Sequence, residues 1–427
     1  MPDLVAVLSE PNRRRLLELL SLGEQTVSQL AANFGVTRSA VSQHLGVLSN
    51  AGLVRARQDG RFRYYRLDPA GMAALRGALE AFWTHELGQL VIAATPARRD
   101  DVTAEKSVLV PLDPDATFAL LTEPERLRRW QAVTARIELR AGGEYRWTIV
   151  PGHNASGTIT ELERGKRLVF TFGWEDSNDL PPGASTVTIT LEPAEGGTRV
   201  HLVHSGLTPE QATGHLEGWT HYLERLVAAA DKGDAGLDEW VTGEPSDPLS
   251  AAEASLAICQ LVLRGLRAEQ GEDQTPCAKF TVDDLVAHLV ASIASLGSAA
   301  GATRADTEGN TEGTTAETRV ADAAQATLEA WRKRGLDGAV ALGQFELPAS
   351  RAVDILLLEL LVHAWDFAKA TGQEIRVDES LSAYVLERAR GLIVPEMRGG
   401  DRFAAERPVG PQADNLARLV AYTGREH

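Results

Sequence analysis

Apolar positions along the chain change their period twice. They first recur at helical spacing: Leu16, Leu17, Leu19 and Leu20 open a helix over 13–20, and two short amphipathic helices follow over 26–34 and 37–50, parted by Gly35-Val36. Residues 52–67 then alternate like a strand pair around Gln58-Asp59-Gly60, where Asp-Gly is a hairpin signal. A longer helix is expected over 70–91. After the proline-broken run ATPARRDDV (94–102), read as a linker, strand alternation takes over at 144–147, 157–162, 167–174, 185–191 and 198–204, with Gly142-Gly143 and Gly196-Gly197 in turns. A helix over 209–230 closes this part, which predicts an antiparallel sheet with a long terminal helix. Beyond a second expected linker, 231–247, the period is helical again over 251–269, 282–296, 321–334, 352–370 and 381–391. Residues 298–318, rich in Ala, Gly, Thr and acids, read as a mobile loop between helices of a bundle. There is no internal repeat. The expected fold class is a multidomain α and α+β chain, divided into 1–94, 105–230 and 249–427.

The 427 residues are 44% hydrophobic and 24% charged, enough for each domain to bury a core. Two cysteines, Cys259 and Cys277, cannot make a disulfide framework and argue for a reducing compartment. No apolar stretch reads as long enough to span a bilayer, and no secretory pattern opens the chain, so a cytoplasmic protein with no membrane partner is expected. The net charge of −16 hides an asymmetry: residues 1–100 carry 12 Arg against 9 acids, so the first part is mildly basic and the remainder strongly acidic. That points to a nucleic-acid-binding module joined to something that is not one.

In the helix over 37–50, Val41, Leu45 and Leu48 form a buried stripe, which leaves Arg38, Ser39, Ser42 and Gln43 on the opposite face near the N-terminus, with Thr37 as N-cap. An arginine and short polar side chains presented from the first turns suit the major groove of duplex DNA. The hairpin behind carries Arg55, Arg57, Arg61, Arg63 and Arg66, able to reach phosphates. The run LAANFGVTRSAVSQHLGVLSNAGLVRARQDGRFRYYRL resembles the ArsR-type winged-helix repressors. The resemblance implies a homodimer on a near-palindromic double-stranded operator. Metal-sensing members have cysteines before the turn, where this chain has Thr26-Val27-Ser28-Gln29-Leu30, so metal sensing through this domain is not expected.

In 105–230 the histidines His153, His201, His204, His215 and His221 have no metal-like spacing. The dense aromatics either form the core or line an apolar cavity for a small hydrophobic effector; Trp130, Trp147, Phe172, Trp174 and Trp219 are the candidates for the lining. TFALLTEPERLRRW, GGEYRW, GTITELERGKRLVFTFGW, GGTRVHLVHSGL and EGWTHYLERL resemble the START-like SRPBCC superfamily, in the branch of the activator of Hsp90 ATPase. The resemblance implies a helix-grip fold around a hydrophobic cavity and names no ligand.

In the last part, Glu359 and His363 lie one turn apart on one helix face and His288 lies on another amphipathic helix. They are either a core histidine and a surface pair, or three ligands with an open fourth position. TPCAKFTVDDLVAHL, ELLVHAWDFAKATGQ and RFAAERPVGPQADNLARLVAYTGR resemble the DinB-like bundles that include mycothiol-dependent maleylpyruvate isomerase. The resemblance implies a divalent metal, usually zinc, on His288, Glu359 and His363, and a low-molecular-weight thiol as possible second cofactor. Cys277 reads as a buried helix-start cysteine rather than a fourth ligand.

The whole reads as a ligand-responsive ArsR-type regulator, a repressor. The competing reading is a metal- and thiol-dependent isomerase or S-transferase that also regulates its own gene; a chaperone cofactor is the weakest. No general acid, base or nucleophile set assembles, which favours regulation over catalysis.

Overall fold

The computed structural model describes residues 10–21, 23–34, 37–59, 62–72, 75, 102–241, 243–303, 313–395, 398 and 403–426. Arg61, nearly all of the helix expected over 70–91, and the expected first linker up to residue 101 lie outside them. The chain divides into two compact units, Met1–Arg99 and Asp100–His427.

In the first unit, α1 (Pro11–Ser21), α2 (Val27–Ala31) and α3 (Arg38–Asn50) pack around a core of Leu16, Leu20, Leu30, Val41, Leu45 and Leu48. Burying such leucines contributes about 1.5–3 kcal/mol each. Thr26 and Gln29 close a capping box on α2, and the Thr37 side chain accepts from Ala40 N at the start of α3, as its sequence position led one to expect. The wing is β2 (Val54–Asp59) against β3 (Phe62–Leu67), in a register that pairs Asp59 with Phe62. A short strand that the pattern did not reveal, β1 (Gln25–Thr26), pairs with the other edge of β3.

The second unit opens on β4 (Val102–Val110), so the strand starts where the linker was expected to end. Two helices, α4 (Pro114–Thr122) and α5 (Pro124–Leu127), lead into β5 (Thr134–Ile137), β6 (Glu144–Val150), β7 (His153–Glu163), β8 (Arg167–Phe172), β9 (Ser185–Ala194) and β10 (Gly197–Leu207). The strands form one antiparallel sheet in the order β4-β10-β9-β8-β7-β6-β5, and α6 (Pro209–Lys232) lies across it. Alternate sheet positions and Trp219, Tyr222, Leu223 and Leu226 of α6 make the shared core.

The bundle is built from α7 (Pro248–Arg264), α8 (Val282–Ala299), α9 (Ala316–Arg334) and α10 (Ala349–Thr371), with α11 (Glu379–Leu392) and α12 (Asn415–Tyr422) added. A hairpin not anticipated from sequence, β11 (Ala339–Leu342) with β12 (Phe345–Pro348), precedes α10. The α10 helix is buried nearly all round and packs on both α7 and α8. By length and hydropathy alone α8 is apolar enough to cross a membrane, contrary to the expectation for any stretch of this chain. It opens on Asp283 and Asp284 and turns Leu285, Leu289, Ile293 and Leu296 into the bundle core.

The middle of the expected second linker, 231–247, is packed: Asp238 and Val241 are buried, and Arg225 donates to Gly236 O. Sheet domain and bundle also meet directly. Arg128, after α5, makes two hydrogen bonds to Glu317 of α9 at 2.8 and 3.0 Å, with both side chains 1% exposed. Gly152 N donates to Glu253 of α7, and Gln260 Nε2 donates to Val133 O.

Candidate functional site

Three places in the described fold gather candidate functional side chains. On α3, the stripe Val41-Leu45-Leu48 is wholly buried, so helical geometry exposes Arg38, Ser39, Ser42 and Gln43 together. On the wing, strand alternation separates the arginines that sequence grouped. Arg55, Arg57 and Arg66 share the face of Tyr64, while Arg63 is opposite Gln58 on the other face and lies over the Tyr65 ring at 5.5 Å. Arg57 is exposed but already paired with Glu24 at 2.9 Å and Asp59 at 3.0 Å. Arg55 is held by Asp68 at 2.5 and 2.9 Å. Glu24 and Asp68 were not singled out by the pattern, since partners 33 and 13 residues away from their arginines leave no local signal.

The second place is a cleft of about 470 Å³ between the sheet and α6. Phe172, Trp174 and Trp219 line it with His215, Tyr222 and Trp240, and no Asp, Glu, Lys or Arg is part of the lining. Trp130 and Trp147, expected there too, belong to the core. Trp130 Nε1 donates to Leu120 O, anchoring the turn after α5, and Trp147 packs on Tyr145 at 4.2 Å and edge-on to Phe170 at 5.5 Å. A larger opening of about 1240 Å³ beside β5, β6 and α9 is lined by many charged side chains, among them Arg146, which binds Glu175 at 2.8 Å, and Arg136, which faces Glu329 at 3.5 Å.

Behind the cleft wall, His204 is fully buried. Its Nδ1 accepts from Trp219 Nε1 at 3.1 Å, which leaves the proton on Nε2 to be donated to Ser185 Oγ at 2.8 Å; that hydroxyl in turn donates to Phe172 O at 2.9 Å. Burial, with His215 nearby, pushes the His204 imidazole from 6.5 to about 3. The unfolded chain therefore binds the extra proton first. This contribution to stability is complete above about pH 6.5 and is lost as pH falls towards about 3, at roughly 1.4 kcal/mol per unit. His204→Gln, which keeps an acceptor and a donor, is expected to flatten the acid limb of stability against pH in urea titrations. An unchanged slope would refute the assignment.

The third place lies between α8 and α10. His288 Nε2 is 3.4 Å and His363 Nε2 3.5 Å from the same oxygen, Glu359 Oε2. The three ligand atoms lie within 4.8 Å of one another, a group with no cysteine in it. Glu359 Oε2 is sealed from solvent and accepts no hydrogen bond. Two ring nitrogens 3.4 and 3.5 Å from one buried carboxylate oxygen, longer than an ordinary hydrogen bond, make a donor set that fits a shared cation. His288 stacks on Phe280 at 4.9 Å and is the more open of the two imidazoles.

Two residues absent from the sequence reading complete this centre. His363 Nδ1 is 2.8 Å from Asp366 Oδ2, and Arg425 grips Asp366 with two hydrogen bonds of 2.7 Å. Burial opposes the charge on His363, but Asp366 and Glu359 outweigh it and lift the imidazole to about 9. Burial likewise opposes ionisation of Asp366, and His363 and Arg425 outweigh it, holding the carboxyl below its usual range. His363 and Asp366, three apart on one helix, were legible as a pair; Arg425, 59 residues further on, was not.

Known protein families match the chain in the same order. The description "Bacterial regulatory protein, arsR family" matches residues 10–56, "Activator of Hsp90 ATPase homolog 1-like protein" matches 111–231, and "Mycothiol maleylpyruvate isomerase N-terminal domain" matches 252–368. The HTH-type transcriptional regulator Rv2034 of Mycobacterium tuberculosis is 49% identical over 80 residues, which is 19% of this chain and 75% of that protein. The uncharacterized protein Rv0738 of the same organism is 31% identical over 180 residues, 42% of this chain and 98% of that one. An AHSA1-like protein of Rhizobium etli, solved by NMR, is 37% identical and is matched over 34% of this chain and 90% of its own, at a TM-score of 0.29. Through its N-terminal helices the chain belongs to the arsR family of bacterial regulatory proteins, and it carries behind them an Hsp90-ATPase-activator-like domain and a DinB-like domain of the maleylpyruvate isomerase type.

Proposed function

We propose that this protein is a DNA-binding transcriptional regulator, a homodimeric repressor whose operator affinity responds to a small molecule. The observation that carries the reading is the exposed face of α3, where Arg38, Ser39, Ser42 and Gln43 stand together behind the Thr37 cap. The kinship with HTH-type transcriptional regulators supports it. Arg57 and Arg63, with Arg61 between them in sequence, are the wing's contributors to phosphate contacts. Arg57 must exchange Glu24 and Asp59 for a phosphate, so its share is the smaller.

Gel-shift titration against the DNA upstream of the protein's own gene tests the reading. Arg38→Ala is expected to weaken specific binding by about 1–3 kcal/mol, the worth of one good base contact, and all binding is expected to fall steeply with salt. Absence of any shift at low salt would exclude it.

The uncharged cleft supports an apolar effector, since a charged ligand would be desolvated there without a counter-charge. The cluster of His288, Glu359 and His363 supports a bound divalent metal. Two nitrogens and one carboxylate oxygen suit zinc, which when bound would act as a Lewis acid towards water or a thiol at its open position. That same cluster favours the second reading, a metal- and thiol-dependent isomerase or S-transferase that also regulates its own gene. Consumption of a low-molecular-weight thiol by the full chain, abolished in His363→Ala, would decide for the enzyme.

A further inference from the structure

Resting on the reading of His288, Glu359 and His363 as a metal site, we propose that Asp366 and Arg425 are a positioning pair that fixes the tautomer and ring orientation of His363 for the metal. Asp366 is wholly buried, with Arg425 bonded to both of its oxygens, so it is an ionised acceptor that cannot turn away. It lies 2.8 Å from His363 Nδ1, and a carboxylate facing that nitrogen requires the proton to be there. The neutral ring is then left with its lone pair on Nε2, the atom that faces Glu359 Oε2 at 3.5 Å. A carboxylate behind a ligating imidazole both orients the ring and raises its basicity.

The arginine is delivered by a segment built for that placement. Arg398 Nη1 donates to Ala404 O and Tyr422 O, binding the segments on either side together, and its guanidinium lies over the Tyr422 ring at 4.5 Å. Gly424 has φ +91° and passes so close to Ala404 that a Cβ would come within 2.6 Å of that residue's own Cβ. Only glycine takes this step without strain. Arg425 Nη1 then donates to Thr423 Oγ1 at 3.1 Å, which leaves Nε and Nη2 for Asp366. A salt bridge serving only to tie α12 to α10 would not need to meet the back of an imidazole.

The test uses the full chain loaded with zinc or cobalt(II), read by competition with a chromophoric chelator and by the visible absorption of cobalt. Asp366→Asn offers an amide that can present a donor to Nδ1 and so release the tautomer. It is expected to weaken metal binding about 10–100-fold and to change the cobalt spectrum at unchanged far-UV circular dichroism. Arg425→Lys keeps the charge but loses the fork; it is expected to lie between wild type and Asp366→Asn, and it answers the same question if Asp366→Asn does not fold. Wild-type affinity and an unaltered cobalt spectrum in both variants would overturn the positioning role while leaving the metal site standing. Failure of wild type to bind either metal would overturn the site and the pair together.

Discussion

Glu317→Gln is expected to destabilise the second unit by about 3–5 kcal/mol, the cost of leaving one partner of a buried ion pair uncompensated. Arg128 is 1% exposed and makes both of its short contacts with Glu317; the next acid, Asp322, is 3.8 Å away and half exposed. Burial by itself would favour loss of the arginine's proton, but the Glu317 carboxylate outweighs it and keeps the guanidinium charged. Arg264 brings a second guanidinium to the same place, donating to Arg128 O at 2.8 Å, which adds to the positive charge left behind when the Glu317 carboxylate is removed. Because the pair joins the sheet domain to the bundle, the loss should appear in urea denaturation as one transition moved to lower denaturant concentration, followed by tryptophans of both parts. The paired replacement Arg128→Met with Glu317→Leu should recover much of it, since two matched apolar side chains leave no charge behind. A change below about 1 kcal/mol in Glu317→Gln would mean that water reaches the pair.

His363→Ala is expected to abolish stoichiometric metal binding. Removing a ligand should cost more than the roughly 10–100-fold that loss of a ligand's hydrogen-bond partner costs, because two remaining groups cannot hold a tetrahedral ion with a defined open position. The substitution also leaves Asp366 with Arg425 alone, a pair still matched in charge, so the fold should survive. Elemental analysis of protein purified without chelator would measure it. Metal retained by His363→Ala, or absent from wild type after dialysis against zinc, would refute the site. Operator binding measured on the same preparations separates the roles: His363→Ala should leave the face of α3 intact, so DNA affinity unchanged in the metal-free protein assigns the bundle a task other than DNA reading.

The parts of the site that were legible in the sequence are those set by short-range periodicity. Arg38, Ser39, Ser42 and Gln43 share a face because Val41, Leu45 and Leu48 must be buried. Glu359 and His363 share one because four residues make about one helical turn. Strand alternation was equally plain, yet it did not say which aromatics close the core and which face the cleft. Trp130, in the turn after α5, and Phe172, at the end of β8, are both buried aromatics. They differ in what packs over them, a Leu120 carbonyl in one case and the mouth formed by Trp174 and His215 in the other. The wing arginines were grouped by composition, whereas the strand register divides them between two faces.

What the sequence by itself determined was therefore the order of the three modules, most of their helices and strands, and the residues that meet on one face of one element, because these follow from repeat lengths within a few residues. Only the tertiary structure decided the convergence of His288 with α10, the grip of Arg425 on Asp366, the Arg128–Glu317 tie and the burial of Asp238 and Val241. Each joins groups brought together by the closure of long loops, and the free energy that selects them is the desolvation of a charge or polar group that must find its partner inside a core. That selection depends on where the whole chain packs and leaves no periodic trace in the sequence.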